Sequence, residues 1–172
     1  MSIDLSNTLI VAISATALFD LTESEQYREQ QLKENPKEAT KLFREYMQQH
    51  ENDPLEIGAG YPLIQAILNL NNCVEPTSED SYENNAPLVE VVIISKSCPE
   101  TGIRVLNAIR QRGLCITRSA FISGGQVADY IADFKVDLFL TTNREDAQSV
   151  ADAQICACAI LDATPVNTFK LD

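Results

Sequence analysis

The segment TLIVAISA at residues 8–15 decides the fold of this chain. It is short, rich in β-branched residues and apolar at both alternating positions, which is typical of a strand buried on both faces of a parallel sheet. Similar segments follow: LVEVVIIS at 88–95, VDLFLT at 136–141 and ICACAIL at 155–161, with a shorter strand predicted at 120–122. We therefore expect a parallel sheet with the first segment at its centre.

Helical patterns alternate with these strands. Residues 102–112 carry Ile103, Leu106 and Ile109 at helical spacing, and Gly113 is of the type that follows a helix C-terminus. A strand followed by a helix, repeated along the chain, predicts an α/β fold.

The start of that helix carries a capping signature. Ser97 and Glu100 stand three residues apart, and Pro99 falls in the first turn. This spacing predicts a capping box, in which Ser97 and Glu100 bond to backbone amides of the turn.

More than sixty residues separate the first two strands, far more than one crossover needs. Residues 23–32 and 36–49 have the pattern of charged amphipathic helices, with Leu42, Phe43 and Tyr46 as the expected contact face. The charges of these helices are interpreted as a solvated surface.

The last part of the connection between the first two strands is predicted to return the chain to the sheet. Residues 61–70 (YPLIQAILNL) are expected to form the crossover helix that returns to the sheet. Residues 21–60 are then a candidate helical cap over the C-terminal edge of the sheet, within a single domain of residues 1–172.

Composition and charge restrict the partners. Apart from the polar stretch 78–85, the composition is that of a globular protein. The net charge of −12 and the pI near 4.4 argue against nucleic acid and anionic membrane surfaces as partners, although a small phosphorylated ligand remains compatible. No apolar stretch reaches a membrane-spanning length and no signal peptide is visible, so the expected location is the cytoplasm.

Cysteine and histidine are poorly placed for a metal centre. The chain has five cysteines without a C-x-x-C pair, and its one histidine, His50, stands in the polar context QQHENDP. We interpret Cys156 and Cys158 as small core residues and His50 as a solvated residue at a helix end.

The residues just after each strand are candidates for function, because ligands of open parallel sheets bind beyond the carboxyl ends of the strands. These positions are 14–16 (SAT), 95–97 (SKS), 123–125 (SGG) and 141–143 (TTN). They are rich in hydroxyl groups and nearly free of acids.

Ser95, Lys96 and Ser97 form the first candidate phosphate site. They precede a helix N-terminus, whose amide dipoles favour an anion, and Lys96 adds a positive charge. The alternative is that Ser97 only caps the helix and that Lys96 is solvated.

Three further residues are weaker candidates for phosphate binding. Arg104 could close on a phosphate through its planar guanidinium, or it could lie on a solvated helix face. Gly124 and Gly125 could let backbone amides approach an anion, or they could form a plain turn.

Six ordered segments also match a family pattern, and they extend from residue 11 to residue 161: VAISATALFDL, HENDPLEIGAGYPLIQAILNLN, VEVVIISKSCPETGIRVLNAI, GLCITRSAFISGG, VDLFLTTNREDA and CACAIL. In this order they resemble the amino-terminal half of the cytosolic type I 5′-nucleotidases. The resemblance implies a three-layer, haloacid-dehalogenase-like α/β fold with a helical cap after the first strand.

The resemblance also implies the chemistry of active relatives, which use an aspartate nucleophile, a second aspartate two residues later as acid/base, and Mg²⁺. Here Ser14 and Thr16 occupy those two positions, and Thr141 and Thr142 occupy the strand end where active relatives carry metal-binding acids. The implied Mg²⁺ is therefore not expected to bind this chain alone, and no metal ligand is assigned.

The resulting functional expectation is a 5′-nucleotidase-family protein that is inactive by itself. The D-x-D pair that dephosphorylates nucleoside 5′-monophosphates would come from a catalytic partner half. The alternative is a non-catalytic domain that binds a nucleotide or phosphate, or that associates with itself as a homo-oligomer. Asp20 and Asp146 are assigned to the surface.

Overall fold

The computed structural model describes residues 5–73 and 86–162, so the polar stretch 78–85 lies outside the described residues. The strands are β1 (Leu9–Ile13), β2 (Val89–Ser95), β3 (Arg118–Phe121), β4 (Leu138–Thr141) and β5 (Ala157–Ile160). The helices are α1 (Ala15–Leu18), α2 (Thr22–Glu34), α3 (Ala39–Gln49), α4 (Tyr61–Asn69), α5 (Pro99–Gln111), α6 (Val127–Asp133) and α7 (Arg144–Ala153), with a 3₁₀ turn at Leu70–Cys73. No helix within the described ranges is long and apolar enough to cross a membrane.

The five strands form one parallel sheet in the order β3-β2-β1-β4-β5. β1 lies at the centre, as its two-sided apolar pattern predicts. The chain runs outward from β1 through β2 to β3 and then returns to the other side of β1 at β4. The sheet therefore has a switch point next to β1, where parallel α/β folds commonly bind ligands.

Alternate residues of the central strands face two separate cores. Val11, Ile13 and Ile93 pack with α1, α4 and α5 on one face of the sheet. Ile10 and Ala12 pack with α6 and α7 on the other face. The predicted three-layer α/β fold is confirmed.

Helices α2 and α3, here called the helical insert, lie between β1 and β2 in sequence and pack against each other, and α3 also contacts α5. Phe43 is buried as predicted, but Leu42 and Tyr46 are only half-buried. Ala39 and Met47 complete the buried face of α3. The role of residues 21–60 as a cap stays a prediction.

The apolar residues of α5 that have helical spacing do not all face the core. Ile109 is buried, but Ile103 is 49% exposed, whereas Arg104 is buried. At Gly102 the helix lies close to β3, because a Cβ atom there would lie 2.7 Å from the ring of Phe121.

The capping box was also wrong. The N-cap of α5 is Cys98, without a side-chain cap, and the Ser97 hydroxyl lies 3.1 Å from that of Ser95. Pro99 does occupy the first turn, and the carboxylate of Glu100 accepts a hydrogen bond from Arg44 of α3 at 2.6 Å. Glu100 therefore contributes to holding the insert on α5.

The remaining sequence interpretations hold in part. Cys156 and Cys158 are half-buried and pack against the core beneath α6 and α7. His50 does end α3, but it stacks on the ring of Tyr46 at 4.2 Å and is half-buried, so it is only partly solvated.

Candidate functional site

The carboxyl ends of the three central strands open into one cavity of about 160 Å³. Ser14 follows β1 and Ser95 ends β2, and both line the cavity. Asn143, two residues beyond β4, lines its other side. The sheet order alone brings these positions together, because β2, β1 and β4 are neighbours.

Hydroxyl groups dominate the walls of this cavity. The hydroxyl-bearing lining residues are Ser14, Thr16, Ser24, Ser95, Ser97 and Thr101. The charged lining residues are two acids and two bases: Glu25, Asp146, Arg28 and Lys96. The cavity therefore combines many neutral hydrogen-bond donors with balanced formal charge.

Ser14 and Thr16 stand where the resemblance places the two aspartates. The Ser14 hydroxyl caps the short helix α1 by accepting the Ala17 amide proton at 3.3 Å, and it lies 3.3 Å from the Thr16 hydroxyl. Thr16 in turn lies 3.0 Å from the hydroxyl of Thr142. These hydroxyls form a neutral network, and Ser14 has no hydrogen bond to a carboxylate, histidine or lysine within the described residues.

The strand end of β4 is likewise neutral. Thr141 is fully buried and its hydroxyl accepts the Asn143 amide proton at 3.1 Å. The Asn143 side chain caps α7 by accepting from the amides of Glu145 and Asp146 at 2.9 and 3.0 Å. The side chains of Thr141 and Asn143 are thus used in forming the turn into α7.

Ser95, Lys96 and Ser97 all line the cavity, as the sequence predicts for a phosphate site. Lys96 is not simply solvated, because its Nζ lies 2.5 Å from Oδ1 of Asp146. Within the described chain, Oδ1 of Asp146 therefore has an ionic partner, although it accepts no hydrogen bond. Whether these residues bind phosphate stays a prediction.

The assignment of Asp146 to the surface was wrong. Its side chain is only 7% exposed, and it lines the cavity beside Lys96. Asp20 does lie at the surface, where hydrogen bonds from Thr22 lower the pKa of its carboxyl. A usable signal for Asp146 existed in the sequence, since it stands four residues before the core residue Val150 and thus on the same helix face.

The two glycines are not brought to the cavity. The Gly124 amide donates to the Lys96 carbonyl at 2.9 Å, and the Gly125 amide donates to the Ile122 carbonyl at 2.8 Å. Both amides that were candidates for anion binding are thus occupied. Gly124 has φ +85°, so the pair forms a turn that requires glycine.

Arg104 does not line the cavity, and it is not solvated either. Its side chain is buried between α5 and the insert, where Nη1 donates to the Ser24 hydroxyl at 3.1 Å. The solvated alternative for Arg104 was therefore wrong, whereas a role in phosphate binding stays a prediction.

The helical insert supplies cavity residues that the sequence analysis did not predict. Ser24, Glu25 and Arg28 of α2 reach the cavity from the side opposite the strand ends. Glu25 is exposed at the rim, yet its carboxyl loses part of its hydration there, and this desolvation raises its pKa, with a further rise from Glu29. The charge of Arg28 acts in the opposite direction on the same pKa.

The residues present do not suit a magnesium ion. Mg²⁺ prefers several oxygen ligands, including carboxylates, in octahedral geometry. The carboxylate of Asp146 is already paired with Lys96, and the Asn143 oxygen already accepts two amides. Residues 5–73 and 86–162 hold no group of three acidic, histidine or cysteine side chains that could bind a metal ion.

Comparisons with known proteins agree on one family. A family model described as 5′-nucleotidase matches residues 1–171. Human cytosolic 5′-nucleotidase 1B is 22% identical over 156 residues, which cover 91% of this chain and 24% of the human protein. The chain therefore spans about a quarter of the length of that relative. No solved structure matches the chain.

Proposed function

Because the chain belongs to the 5′-nucleotidase family, we propose that its cavity binds the phosphate group of a nucleoside 5′-monophosphate and that these residues alone do not hydrolyse it. The observation that carries the proposal is the meeting of the Ser95 and Ser97 hydroxyls with Lys96 at the strand ends, opposite a neutral Ser14 and Thr16. Donors for a phosphate are present, whereas the acids for its transfer are absent from the expected positions.

The donors suit a phosphate group in kind and number. The 13-residue helix α5 begins at Pro99, two residues after Ser97, and the free amides of its first turn favour an anion. A hydrogen bond between a protein donor and a charged group contributes roughly 1.5–3 kcal/mol. A phosphate oxygen is also an acceptor for Lys96, which would then be shared with Asp146.

The size of the cavity limits what it encloses. Its volume of about 160 Å³ is smaller than the roughly 300–1,000 Å³ of sites that bury an entire small ligand. We propose that the phosphate group enters the cavity and that the nucleoside lies at its mouth.

Within residues 5–73 and 86–162, hydrolysis through Ser14 lacks an activating base. A serine hydroxyl becomes nucleophilic when a neighbouring base takes its proton. The partners of Ser14 are the Thr16 hydroxyl and the Ala17 amide, and neither accepts a proton readily. The family's Mg²⁺ is not assigned to this chain, because the available donors do not fit it.

A second candidate function is one part of a complete nucleotidase. The matched relative is about four times as long as the matched segment, so it contains further sequence in which catalytic acids could lie. We propose that a partner half supplies the aspartates and Mg²⁺, and that the assembly acts in the cytosol, where the name of the relative places that protein.

The test combines binding with turnover. Calorimetry with inorganic phosphate, AMP, IMP and UMP should detect binding by the unaltered chain, and an assay of released phosphate with Mg²⁺ should detect no turnover. Failure of all four ligands to bind at millimolar concentration would refute the binding proposal. Robust turnover would instead show that the roles given to Ser14 and Thr16 are wrong.

A further inference from the structure

Among the residues that the structure describes, Arg104 carries a buried positive charge without a carboxylate in contact. It is 5% exposed, its Nη1 donates to Ser24, and its Nε has no hydrogen-bond partner within the described residues. An arginine side chain stays charged in proteins, and a buried unpaired charge is costly. This arrangement therefore favours an anion near Arg104.

The surrounding residues compensate this charge only weakly. Tyr46 of α3 lies within hydrogen-bonding reach of Arg104, and its own hydroxyl donates to Glu23 at 3.2 Å. Glu23 is exposed, so solvent screens its negative charge. Its attraction to the guanidinium of Arg104, from which Tyr46 separates it, is therefore weak.

Ser24 connects Arg104 to the cavity. It is 2% exposed, it lines the cavity, and its oxygen accepts the hydrogen bond from Arg104 at 3.1 Å. No acceptor for the proton of Ser24 itself is found within residues 5–73 and 86–162. A hydroxyl that accepts from a cation is a stronger donor, because successive hydrogen bonds polarise one another.

We infer that Arg104 is a positioning residue for the phosphate group and acts through Ser24. Arg104 fixes the Ser24 oxygen as an acceptor, so that Ser24 directs its proton to an anion held by Ser95 and Lys96. The negative charge of the anion then compensates the positive charge of Arg104, with only the Ser24 hydroxyl between them. This inference rests on the proposed function, and it makes the insert part of the phosphate site.

Phosphate titration by calorimetry tests the pathway with Ser24→Ala, Arg104→Met and the double variant. Each single variant should weaken phosphate binding by about 10-fold, because each removes the same charge-assisted donor. The double variant should also weaken binding by only about 10-fold, since coupled groups are not additive. Arg104→Lys should recover part of the affinity, which a purely structural role does not require.

Arg112→Met is the matched control. Arg112 follows α5, donates to the Leu55 carbonyl at 2.6 Å and lies 5.3 Å from the Tyr61 ring centre, but it does not line the cavity. Its loss should destabilise the fold and leave the phosphate Kd within about 2-fold, because it leaves the donors of the cavity in place.

The other outcomes distinguish this inference from the proposed function. If Lys96→Met weakens phosphate binding while Ser24→Ala and Arg104→Met do not, the pathway is refuted and the proposed function stands. Additive losses in the double variant also refute the pathway. If Arg104→Met does not fold, Ser24→Ala alone decides. Absence of phosphate binding by the unaltered chain refutes both proposals.

Discussion

Replacing Lys96 by methionine should destabilise the protein and weaken its phosphate binding. Lys96 is the ionic partner of Asp146, whose side chain is only 7% exposed. Loss of one partner from a fully buried pair costs about 3–5 kcal/mol. Lys96 is 39% exposed, so solvent screening reduces our expectation to about 1–2 kcal/mol.

These free energies correspond to measurable shifts. For a domain of this length, about 1 kcal/mol changes the Tm by roughly 2–4 °C, so Lys96→Met should lower the Tm by about 2–8 °C. Loss of a hydrogen bond to a charged group should also weaken phosphate binding by about 10-fold or more.

Lys96→Met also tests whether pairing of Asp146 with Lys96 is what makes the unaltered site unsuitable for Mg²⁺. With Lys96 intact, millimolar Mg²⁺ should change the Kd for inorganic phosphate by less than about 2-fold, because Asp146 already has a cation. In Lys96→Met the free carboxylate should attract Mg²⁺, and part of the lost Tm should return as the metal concentration rises.

Thermal unfolding and calorimetry, each with and without Mg²⁺, provide the measurements. Lys41→Met is the control, because Lys41 forms an exposed pair with Glu45 at 3.8 Å, and such pairs contribute little. Strong dependence of phosphate binding on Mg²⁺ in the unaltered chain would refute the reasoning. So would a Lys96→Met variant that keeps both its stability and its affinity.

Three further predictions concern single features of the site and its support. Desolvation raises the pKa of the Glu25 carboxyl, so its ionised form destabilises the folded state. Glu25→Gln should therefore raise the Tm at pH 7. This gain in Tm should vanish as the pH falls towards 4.5, the ordinary pKa of a glutamate side chain. In Gly58→Ala the new Cβ would lie 2.6 Å from the Ala17 carbonyl oxygen, and denaturant unfolding should show a loss of about 1–3 kcal/mol. Ser14→Asp combined with Thr16→Asp should lower the Tm without metal, raise it in a Mg²⁺ titration, and still give no phosphate release.

The strands could be predicted because each depends on its own residues. The segment at 8–15 is apolar on both faces, and only a central strand buries both faces, so its position in the sheet follows directly. The strand-end hydroxyls of Ser14 and Ser95 then meet without further information.

The burial of Arg104 on α5 could not be predicted in the same way. The spacing of Ile103, Leu106 and Ile109 indicates a helix, but it does not show that Ile103 is exposed. The close approach of Gly102 to Phe121 is a contact between two elements, and such a contact is not visible in the helical pattern alone.

Helix α2 of the insert was harder to interpret because its inner face is polar. The buried residues of α2 are Ser24 and Gln31, seven positions apart and thus on one face, although no apolar stripe marks that face. A helix that buries polar side chains needs polar partners, and Arg104 provides one for Ser24. The polar inner face becomes understandable only when the cavity beneath it is known.

The two parts of the proposed function, phosphate binding and lack of hydrolysis, are physically compatible, because different parts of the fold would supply them. The resemblance places the acids at Ser14 and Thr16, whereas the proposed donors are Ser95, Lys96 and Ser24. Two like charges about 4 Å apart at an effective dielectric constant of 20 repel by roughly 4 kcal/mol, so aspartates beside a phosphate require a metal ion between them. Hydroxyls at the same positions remove that repulsion. Under the proposed function, a hydroxyl in place of the nucleophile would therefore also remove the need for Mg²⁺ in binding the phosphate.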